Sequence, residues 1–301
     1  MGAVAAPRAG ALPAGARCPA CGGGGARPAA SAFRDPLLSC PACGHRWVPE
    51  PEGRVPSPGF YDDLHEKGLI NPLPEGERRA MLDERLRLIE EWTGRGSILD
   101  VGCGDGAFLA RAEARGWDVF GLETSAEAAA RARADVRGAI ACAPLEQAEA
   151  ALPRELDAIT FWDCLEHLVD PAGALALVRG RLRKGGVLGV TMPNAAGAEA
   201  RLWGPRWRYL DLARYGHLHH FTPRSLRALV ERIVQPSRVE VRFYGSVDLR
   251  DVPVLAPVAA RPAGTWILDH ASGVLGRLGA PMRLGSTLLL RAQVDAATGR
   301  G

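Results

Sequence analysis

The fold of this chain is decided by residues 97–106, which read Ser-Ile-Leu-Asp-Val-Gly-Cys-Gly-Asp-Gly. An apolar strand ends there in an acid, Asp100, and three glycines follow at alternate positions, Gly102, Gly104 and Gly106. A helical pattern starts directly after them. Glycines between a strand and a helix N-terminus allow positive φ angles and a close approach of the backbone to a ligand. The stretch therefore predicts a strand, a tight turn and a helix that bind an adenosine-containing cofactor.

Two acidic residues distinguish between two classes of such cofactors. The spacing of Gly102, Gly104 and Ala107 also satisfies the dinucleotide fingerprint, in which a pyrophosphate lies at the loop. Asp100 would place a like charge beside that pyrophosphate, whereas it would stabilise a cationic ligand. Glu123 ends the next predicted strand, where a carboxylate can accept both ribose hydroxyls of an adenosine. An adenosine with an amino acid tail and a sulfonium fits both acids, which predicts S-adenosylmethionine.

Residues 97–193 resemble the core of the class I S-adenosylmethionine-dependent methyltransferases. Four segments carry this resemblance: Leu99-Asp-Val-Gly-Cys-Gly-Asp-Gly, Gly121-Leu-Glu-Thr-Ser, Leu156-Asp-Ala-Ile-Thr-Phe-Trp-Asp-Cys-Leu-Glu-His-Leu-Val-Asp-Pro and Leu182-Arg-Lys-Gly-Gly-Val-Leu. The resemblance implies cofactor contacts from nine residues, namely Asp100, Gly102, Cys103, Gly104, Gly106, Glu123, Thr124, Trp162 and Asp163. A dinucleotide-dependent oxidoreductase is the alternative.

Strands and helices alternate after residue 97, which predicts a doubly wound, Rossmann-like α/β fold with a seven-stranded sheet. The predicted strands are 97–101, 117–123, 136–142, 157–162, 186–192, 238–245 and 285–292, of which the last is antiparallel. The predicted helices are 77–93, 106–115, 125–134, 171–183 and 223–234. Such sheets bind ligands at the carboxyl ends of their strands, which is where the acids named above lie.

The composition along the chain predicts a disordered tail at residues 1–17 and a Pro- and Gly-rich linker at 49–76. Between them lies a small four-cysteine module, residues 18–48. The methyltransferase domain is expected over 77–301. Within it, the resemblance places a substrate lid at about 195–221, and the prolines indicate an insertion with one apolar helix at about 250–282.

Two Cys-x-x-Cys pairs, Cys18 with Cys21 and Cys40 with Cys43, give the module its predicted chemistry. Two thiolate pairs at this spacing complete a closed tetrahedral site, which predicts a structural zinc ion. Because the module is too small for a core of its own, the metal would supply its folding energy. Redox-active dithiols are the alternative. Because four thiolates complete a tetrahedral zinc site, His45 is not needed as a ligand and is expected at the surface.

Catalytic candidates occur in two segments. Asp163, Glu166 and His167 follow the fourth strand, and the related ubiquinone-pathway O-methyltransferases have a similar set that forms a divalent-metal site, with Glu at the first position. The alternative is that Glu166 and His167 cap the next helix. In the second segment, residues 215–223, His219 is predicted as a general base, and His167 is the second candidate. Thr222 is expected to be the N-cap of helix 223–234.

The composition of the chain limits which class of molecule can be expected to accept the methyl group. The chain has 301 residues and a net charge of +3, which is modest for a nucleic-acid enzyme. No apolar run is long enough for a transmembrane helix, and paired cysteines suit a reducing cytoplasm. We therefore expect O- or C-methylation of a small molecule. An RNA methyltransferase whose module recognises RNA and a non-catalytic scaffold are the alternatives. The lid aromatics Trp203, Trp207 and Tyr209 could either contact the acceptor or pack the lid.

Overall fold

The computed structural model describes residues 16–54, 59–62, 73–245 and 285–295. The strands in this part of the chain are β1 Arg27–Pro28, β2 Leu38–Ser39, β3 Arg46–Trp47, β4 Ser97–Val101, β5 Asp118–Glu123, β6 Ala139–Cys142, β7 Leu156–Trp162, β8 Leu182–Pro193, β9 His219–His220, β10 Arg238–Tyr244 and β11 Thr287–Gln293. The helices are α1 Glu75–Thr93, α2 Ala107–Ala114, α3 Ala126–Asp135, α4 Leu145–Ala148, α5 Pro171–Arg179, α6 Ala198–Trp203, α7 Leu212–Tyr215 and α8 Pro223–Ile233.

The seven long strands form one sheet in the order β10-β11-β8-β7-β4-β5-β6. Strand β4 lies inside it and pairs in parallel with both β5 and β7, so that Leu99 is opposite Phe120 on one side and Ile159 on the other. The sheet is mostly parallel, with antiparallel pairing at its last strands. The predicted doubly wound α/β fold is therefore confirmed.

The core follows from the apolar runs that form the central strands. Ile98 and Leu99 of β4 and Ala158, Ile159 and Phe161 of β7 have no exposed surface. Neighbouring positions of a strand point to opposite faces, so both faces of these strands are covered, as is usual for parallel sheets. This burial holds β4 firmly, and its last residue leads directly into the glycine loop.

Helix α5 begins at Pro171, as predicted, but its end and its capping residue differ from the prediction. It ends at Arg179 instead of residue 183, because the chain turns at Gly180 and β8 begins at Leu182. At its start, the side chain of Asp170 accepts a hydrogen bond from the Gly173 N–H at 2.9 Å and caps the helix. The predicted capping by Glu166 and His167 is therefore wrong, since both lie in a separate 3₁₀ turn, Leu165–His167.

Helix α8 begins as predicted. The Thr222 hydroxyl accepts a hydrogen bond from the Ser225 N–H at 3.0 Å, and the Ser225 hydroxyl accepts one from the Thr222 N–H at 2.8 Å. This reciprocal pair resembles a capping box, with serine in place of the usual Glu or Gln. Pro223 occupies the first helical position, where its missing N–H costs nothing.

The chain divides into two compact units. The first comprises Met1–Gly53, Thr191–Ala228 and Val241–Leu290, and we call it the cysteine unit. The second comprises Arg54–Val190, Leu229–Glu240 and Arg291–Gly301, and we call it the glycine-loop unit. The apolar helix predicted within 250–282 lies outside the described residues, as do most of the predicted tail and part of the linker. No helix in the described ranges is long and apolar enough to cross a membrane.

Candidate functional site

The loop between β4 and α2 has the backbone geometry that its glycines predict. Gly102, Gly104 and Gly106 have φ angles of 75°, 56° and 78°, in the left-handed region that disfavours other residues. A Cβ atom at Gly102 would approach the Cys164 Sγ to 2.7 Å, whereas one at Gly104 would meet nothing within 4 Å. Gly104 therefore faces open space, and its surroundings leave room for a ligand against the backbone.

Glu123 holds this loop in place from the end of β5. One of its carboxylate oxygens accepts a hydrogen bond from the Gly104 N–H at 2.9 Å. The other accepts from the N–H groups of Thr124 and Ser125, at 2.7 and 2.8 Å. These backbone donors fix the orientation of the carboxylate, and the oxygen that accepts from Gly104 keeps a second lone pair with which to accept another hydrogen bond.

Asp100 is the buried acid of the site, with 2% of its surface exposed. Burial raises the pKa of its carboxyl group to about 7, opposed by a hydrogen bond from the Thr160 hydroxyl and by the positive charge of Arg85. The Thr160 bond measures 2.7 Å, and the negative charges of Glu123 and Asp163 raise the pKa further. A cation bound here would favour the ionised form of Asp100, whereas an anion would meet several carboxyl groups.

Arg85 is a further residue of this site, which the sequence did not indicate, and it contacts both Asp163 and Trp162. It lies on α1, donates to the Asp163 carboxylate at 2.8 Å, and stacks over the Trp162 ring at 5.0 Å. Asp163 has a φ angle of 54°, which is a strained conformation for a residue with a side chain. The helical spacing could have indicated that Arg85 is buried, because it lies on the same face of α1 as the buried Leu82 and Ile89.

Two further predicted cofactor contacts lie beside this group. Cys103 is buried and its N–H donates to the Leu122 carbonyl at 2.9 Å, while burial raises the pKa of its thiol. The side chain of Thr124 is exposed at the end of β5. All nine predicted cofactor residues therefore belong to one unit, at the carboxyl ends of β4, β5 and β7.

A short helical segment, residues 59–62, packs on the same unit. The Tyr61 ring meets the His167 ring edge-on at 5.6 Å, and the Asp62 carboxylate accepts a hydrogen bond from the Ser125 hydroxyl. Burial raises the pKa of the Tyr61 hydroxyl, and the charges of Cys164, Glu166 and Glu123 raise it further. Tyr61 therefore stays a neutral phenol at physiological pH.

Of the predicted divalent-metal ligands, Glu166 and His167 lie together in one 3₁₀ turn, whereas Asp163 has a different partner. The Asp163 carboxylate is paired with Arg85. Burial raises the pKa of the Glu166 carboxyl well above its usual value, and the negative charge of Asp163 adds to that shift. Metal ligation requires the deprotonated carboxylate, so a cation bound here would have to displace the proton of Glu166.

The four predicted metal ligands lie together in the cysteine unit. The Sγ atoms of Cys18, Cys21, Cys40 and Cys43 all lie within 4.8 Å of one another, and the pairs Cys18–Cys43 and Cys21–Cys40 are 3.6 Å apart. Ligands 2.3 Å from a tetrahedral zinc ion would be about 3.8 Å apart. The separation of these sulfur atoms therefore fits a four-coordinate ion.

Glycines shape the two turns that carry these cysteines. Gly22 and Gly44 have φ angles of 75° and 73°, and their N–H groups donate to the carbonyls of Cys18 and Cys40. Burial raises the pKa of the Cys18 thiol to about 11, and it raises that of Cys43 as well. Burial thus keeps the Cys18 and Cys43 thiols protonated unless a cation compensates the charge of their thiolates. For Cys40, the effect of burial is outweighed by hydrogen bonds from backbone N–H groups and neighbouring cysteine side chains, which lower its pKa.

His45 is not the surface residue that the sequence suggested, because it has no exposed surface. Strand β3 pairs antiparallel with β9, with Arg46 opposite His220 and Trp47 opposite His219. The His45 Nε2 lies 3.2 Å from the His219 Nδ1, and the two rings stack with their centroids 5.4 Å apart. Burial, with the neighbouring rings of His219 and His220, lowers the pKa of His45 well below its ordinary value.

The two histidines of β9 contact different partners, as an extended strand predicts. His219 lies against His45 and Phe221, whereas the His220 ring meets Trp207 and His217 at 6.0 and 6.3 Å. Burial lowers the pKa of His220 to about 3, and the charges of His219 and Arg46 lower it further. Both rings of β9 are almost completely buried.

The aromatic residues of the predicted lid pack against one another. Trp207 is 1% exposed and meets the Tyr209 ring at 5.3 Å, and Tyr209 stacks on His217 at 5.3 Å. This favours the packing role for Trp207. Arg208 forms an ion pair with Glu199 at 3.2 Å.

A seven-stranded sheet with a glycine loop after β4 and acids at the ends of β4 and β5 is the architecture of S-adenosylmethionine-dependent methyltransferases. The chain belongs to the methyltransferase domain family, whose profile matches residues 75–233.

Comparison with known proteins agrees with this family. The chain is 33% identical over 147 residues to the ubiquinone biosynthesis O-methyltransferase of Thiobacillus denitrificans, covering 47% of this chain and 55% of that protein. The match to its counterpart from Nitrosomonas europaea is 30% over 151 residues, covering 47% and 54%. The chain thus spans about half the length of the curated relatives it matches. The plantazolicin methyltransferase BpumL superimposes with a TM-score of 0.55 at 16% identity, covering 81% of this chain and 96% of that one.

Substituting Asp100 with Asn should change how stability depends on pH. Since the folded chain raises the pKa of Asp100, the stability from this group is complete below about pH 4 and falls as the pH rises toward 7. Asp100→Asn removes that fall, which amounts to about 4 kcal/mol at most. Its thermal midpoint, relative to the parent chain, should therefore be higher at about pH 8 than at about pH 4.5.

The matched control is Asp118→Asn, which makes the same change at an exposed strand residue. It should shift the midpoint equally at both pH values. An equal pH response of the two variants would contradict the raised pKa of Asp100.

Proposed function

We propose that this chain transfers a methyl group from S-adenosylmethionine to a small-molecule acceptor, most simply at a hydroxyl oxygen. The observation that carries the proposal is the combination of Asp100 and Glu123 on either side of an open glycine loop. Glu123 presents a fixed carboxylate, which suits a ribose diol. Asp100 has a pKa near neutrality, which suits a ligand with positive charge and disfavours a pyrophosphate.

Different residues of the glycine-loop unit would bind different parts of S-adenosylmethionine. Gly104 lets the ligand approach the backbone, and Glu123 accepts hydrogen bonds from the ribose hydroxyls. Asp100 stabilises positive charge, and Trp162 with Asp163 bounds the same edge of the sheet. When bound, S-adenosylmethionine supplies a methyl group on a cationic sulfur, and that sulfur keeps the electron pair of the carbon–sulfur bond as the acceptor oxygen forms its bond to the carbon.

The acceptor hydroxyl must lose its proton in this reaction, and His167 and His219 are the proposed bases. His167 is partly exposed and lies in the turn that follows Asp163, which supports access to an acceptor. His219 is held by a hydrogen bond to a second imidazole, which supports a fixed orientation. The proton of the hydroxyl moves to the unprotonated nitrogen of one of these rings.

A small acceptor and O-methylation are supported by the relatives. The matched curated proteins are named ubiquinone biosynthesis O-methyltransferases, and BpumL was solved with S-adenosylhomocysteine and a triazolic analogue of its substrate. The modest net charge of +3 also gives little attraction for a nucleic acid.

We also propose that the four cysteines bind one structural zinc ion. The closed set of four sulfur donors leaves no position for a substrate, and the close spacing of the sulfur atoms supports a single tetrahedral ion. Such a site requires reduced cysteines, which supports the predicted cytoplasmic location.

Metal analysis of the purified chain tests the zinc site. About one zinc ion per chain is expected, because two Cys-x-x-Cys pairs make one tetrahedral site. Cys21→Ser should lose the metal, whereas Cys142→Ser, at an exposed cysteine outside the cluster, should keep it. Retention of zinc by Cys21→Ser, or no zinc in the parent chain, would contradict the assignment.

Substituting Glu123 with Ala should weaken binding of S-adenosylmethionine at least about tenfold, equivalent to about 1.4 kcal/mol. The substitution removes the ribose acceptor and releases the Gly104 N–H. Equilibrium titration measures the dissociation constant. Glu127→Ala, an exposed acid on the following helix, is the matched control and should bind normally. An unchanged constant for Glu123→Ala would remove its role at the ribose.

Transfer of labelled methyl into a host extract tests the reaction itself. The extract is separated by size, with and without ribonuclease, and Glu123→Ala at limiting cofactor serves as the control with reduced transfer. Label in small molecules is expected. Label in a large, ribonuclease-sensitive fraction would instead identify an RNA methyltransferase, and no transfer into any fraction would contradict the proposed activity.

A further inference from the structure

We propose that His45 of the cysteine module is a positioning residue for His219: its Nε2 accepts a hydrogen bond from the Nδ1–H of His219, which leaves the lone pair of His219 on Nε2. The cysteine module thereby contributes to the reaction although its metal stays outside the chemistry. This inference rests on the proposed role of His219 in proton transfer.

The pairing of the two imidazoles is direct and protected from water. The His45 Nε2 and the His219 Nδ1 are 3.2 Å apart, and the rings are stacked with an angle of 16° between their planes. His45 is completely buried and His219 is 3% exposed. Because no solvent competes for this hydrogen bond, it fixes the rotation of the His219 ring and makes the tautomers of the two rings depend on each other.

The position of His45 is set by the cysteine turn that precedes it. The Cys40 N–H donates to the His45 carbonyl at 2.8 Å, so the turn closes on His45 itself. Two residues earlier, the Cys43 carbonyl accepts a hydrogen bond from the Thr222 hydroxyl at 2.8 Å. The Val48 N–H donates to the Leu218 carbonyl at 2.9 Å. The module thus forms hydrogen bonds to residues on both sides of His219. A folded cysteine turn is therefore needed to hold His45 in place.

The ring chemistry defines which proton arrangement supports catalysis. One proton lies between the two nitrogens, and it belongs either to His219 or to His45. If His219 donates, its Nε2 carries a lone pair and can accept a proton. If His45 donates, the Nε2 of a neutral His219 already carries a hydrogen and cannot act as a base. The proposed role of His219 therefore requires His45 to be the acceptor, as in other sites where a partner sets the tautomer of a histidine.

Two substitutions at His45 separate hydrogen bonding from packing. His45→Phe keeps an aromatic ring in the stack but removes the acceptor. His45→Gln places an amide oxygen near the former Nε2 and can restore the bond. Arg34→Gln, at an exposed position of the same module, is the control. Thermal unfolding and zinc content are measured on every variant, so that loss of the fold is recognised directly.

The first readout is the ¹⁵N spectrum of the histidine rings in the full chain, assigned with the His45 and His219 variants. The proposal expects the proton of His219 on Nδ1, and expects that preference to be lost in His45→Phe and kept in His45→Gln. A proton on Nε2 in the parent chain, or an unchanged His219 signal in His45→Phe, would overturn it. This readout requires neither a cofactor nor an acceptor.

The second readout is the initial rate of labelled methyl transfer into the small-molecule fraction of a host extract. His45→Phe should lower kcat by about 10- to 100-fold with an unchanged KM for S-adenosylmethionine, and His45→Gln should recover most of the rate. Equal losses in both variants would indicate a packing role only and overturn the inference. Full activity of His219→Ala would instead refute the proposed base, which distinguishes the two failures.

Discussion

The backbone at the end of strand β4 is the constraint on which the rest of the site depends. Strand β4 is buried from Ile98 to Val101 and pairs with a neighbour on each side, so its last residue has a fixed position. The chain must then reverse within a few residues to begin α2, and three glycines with positive φ angles make this possible. Asp100, at the end of the strand, and Glu123, which accepts from the loop, are placed by that turn.

The acids around the loop give the site its electrostatic character. Burial raises the pKa of Asp100, the charges of Glu123 and Asp163 raise it further, and the positive charge of Arg85 opposes this shift. The burial of Asp100 costs free energy in the absence of a ligand, because a buried carboxyl group loses its hydration. A positively charged ligand would recover that cost, which is how a site can bind tightly a cofactor that lacks phosphate groups.

The sequence predicted those features that depend on local pattern. The alternation of strands and helices, the glycine loop, Glu123 and the two cysteine pairs are each encoded within short segments. The end of α5 was misplaced, since Gly180 and the start of β8 lie within a continuous run that also fits a helix. Arg85 was overlooked because the charges of α1 were attributed to its solvated face.

The role of His45 could not be predicted, because it depends on contacts between distant parts of the chain. Strands β3 and β9 have two residues each, which is too short for any periodicity, and they pair across more than half of the sequence. Nothing near His45 indicates a buried partner 174 positions later. Long-range pairing of this kind depends on the tertiary fold, so the join between the cysteine module and residues 217–222 appears only in the structure.

The central claim is that the loop binds a sulfonium cofactor and not a dinucleotide. Calorimetric titration of the purified chain with S-adenosylmethionine, S-adenosylhomocysteine and NAD⁺ tests it most directly. Binding of the first two at one shared site, with no competition from NAD⁺, is the predicted result. Preferential binding of NAD⁺, or no binding of S-adenosylmethionine, would contradict the account.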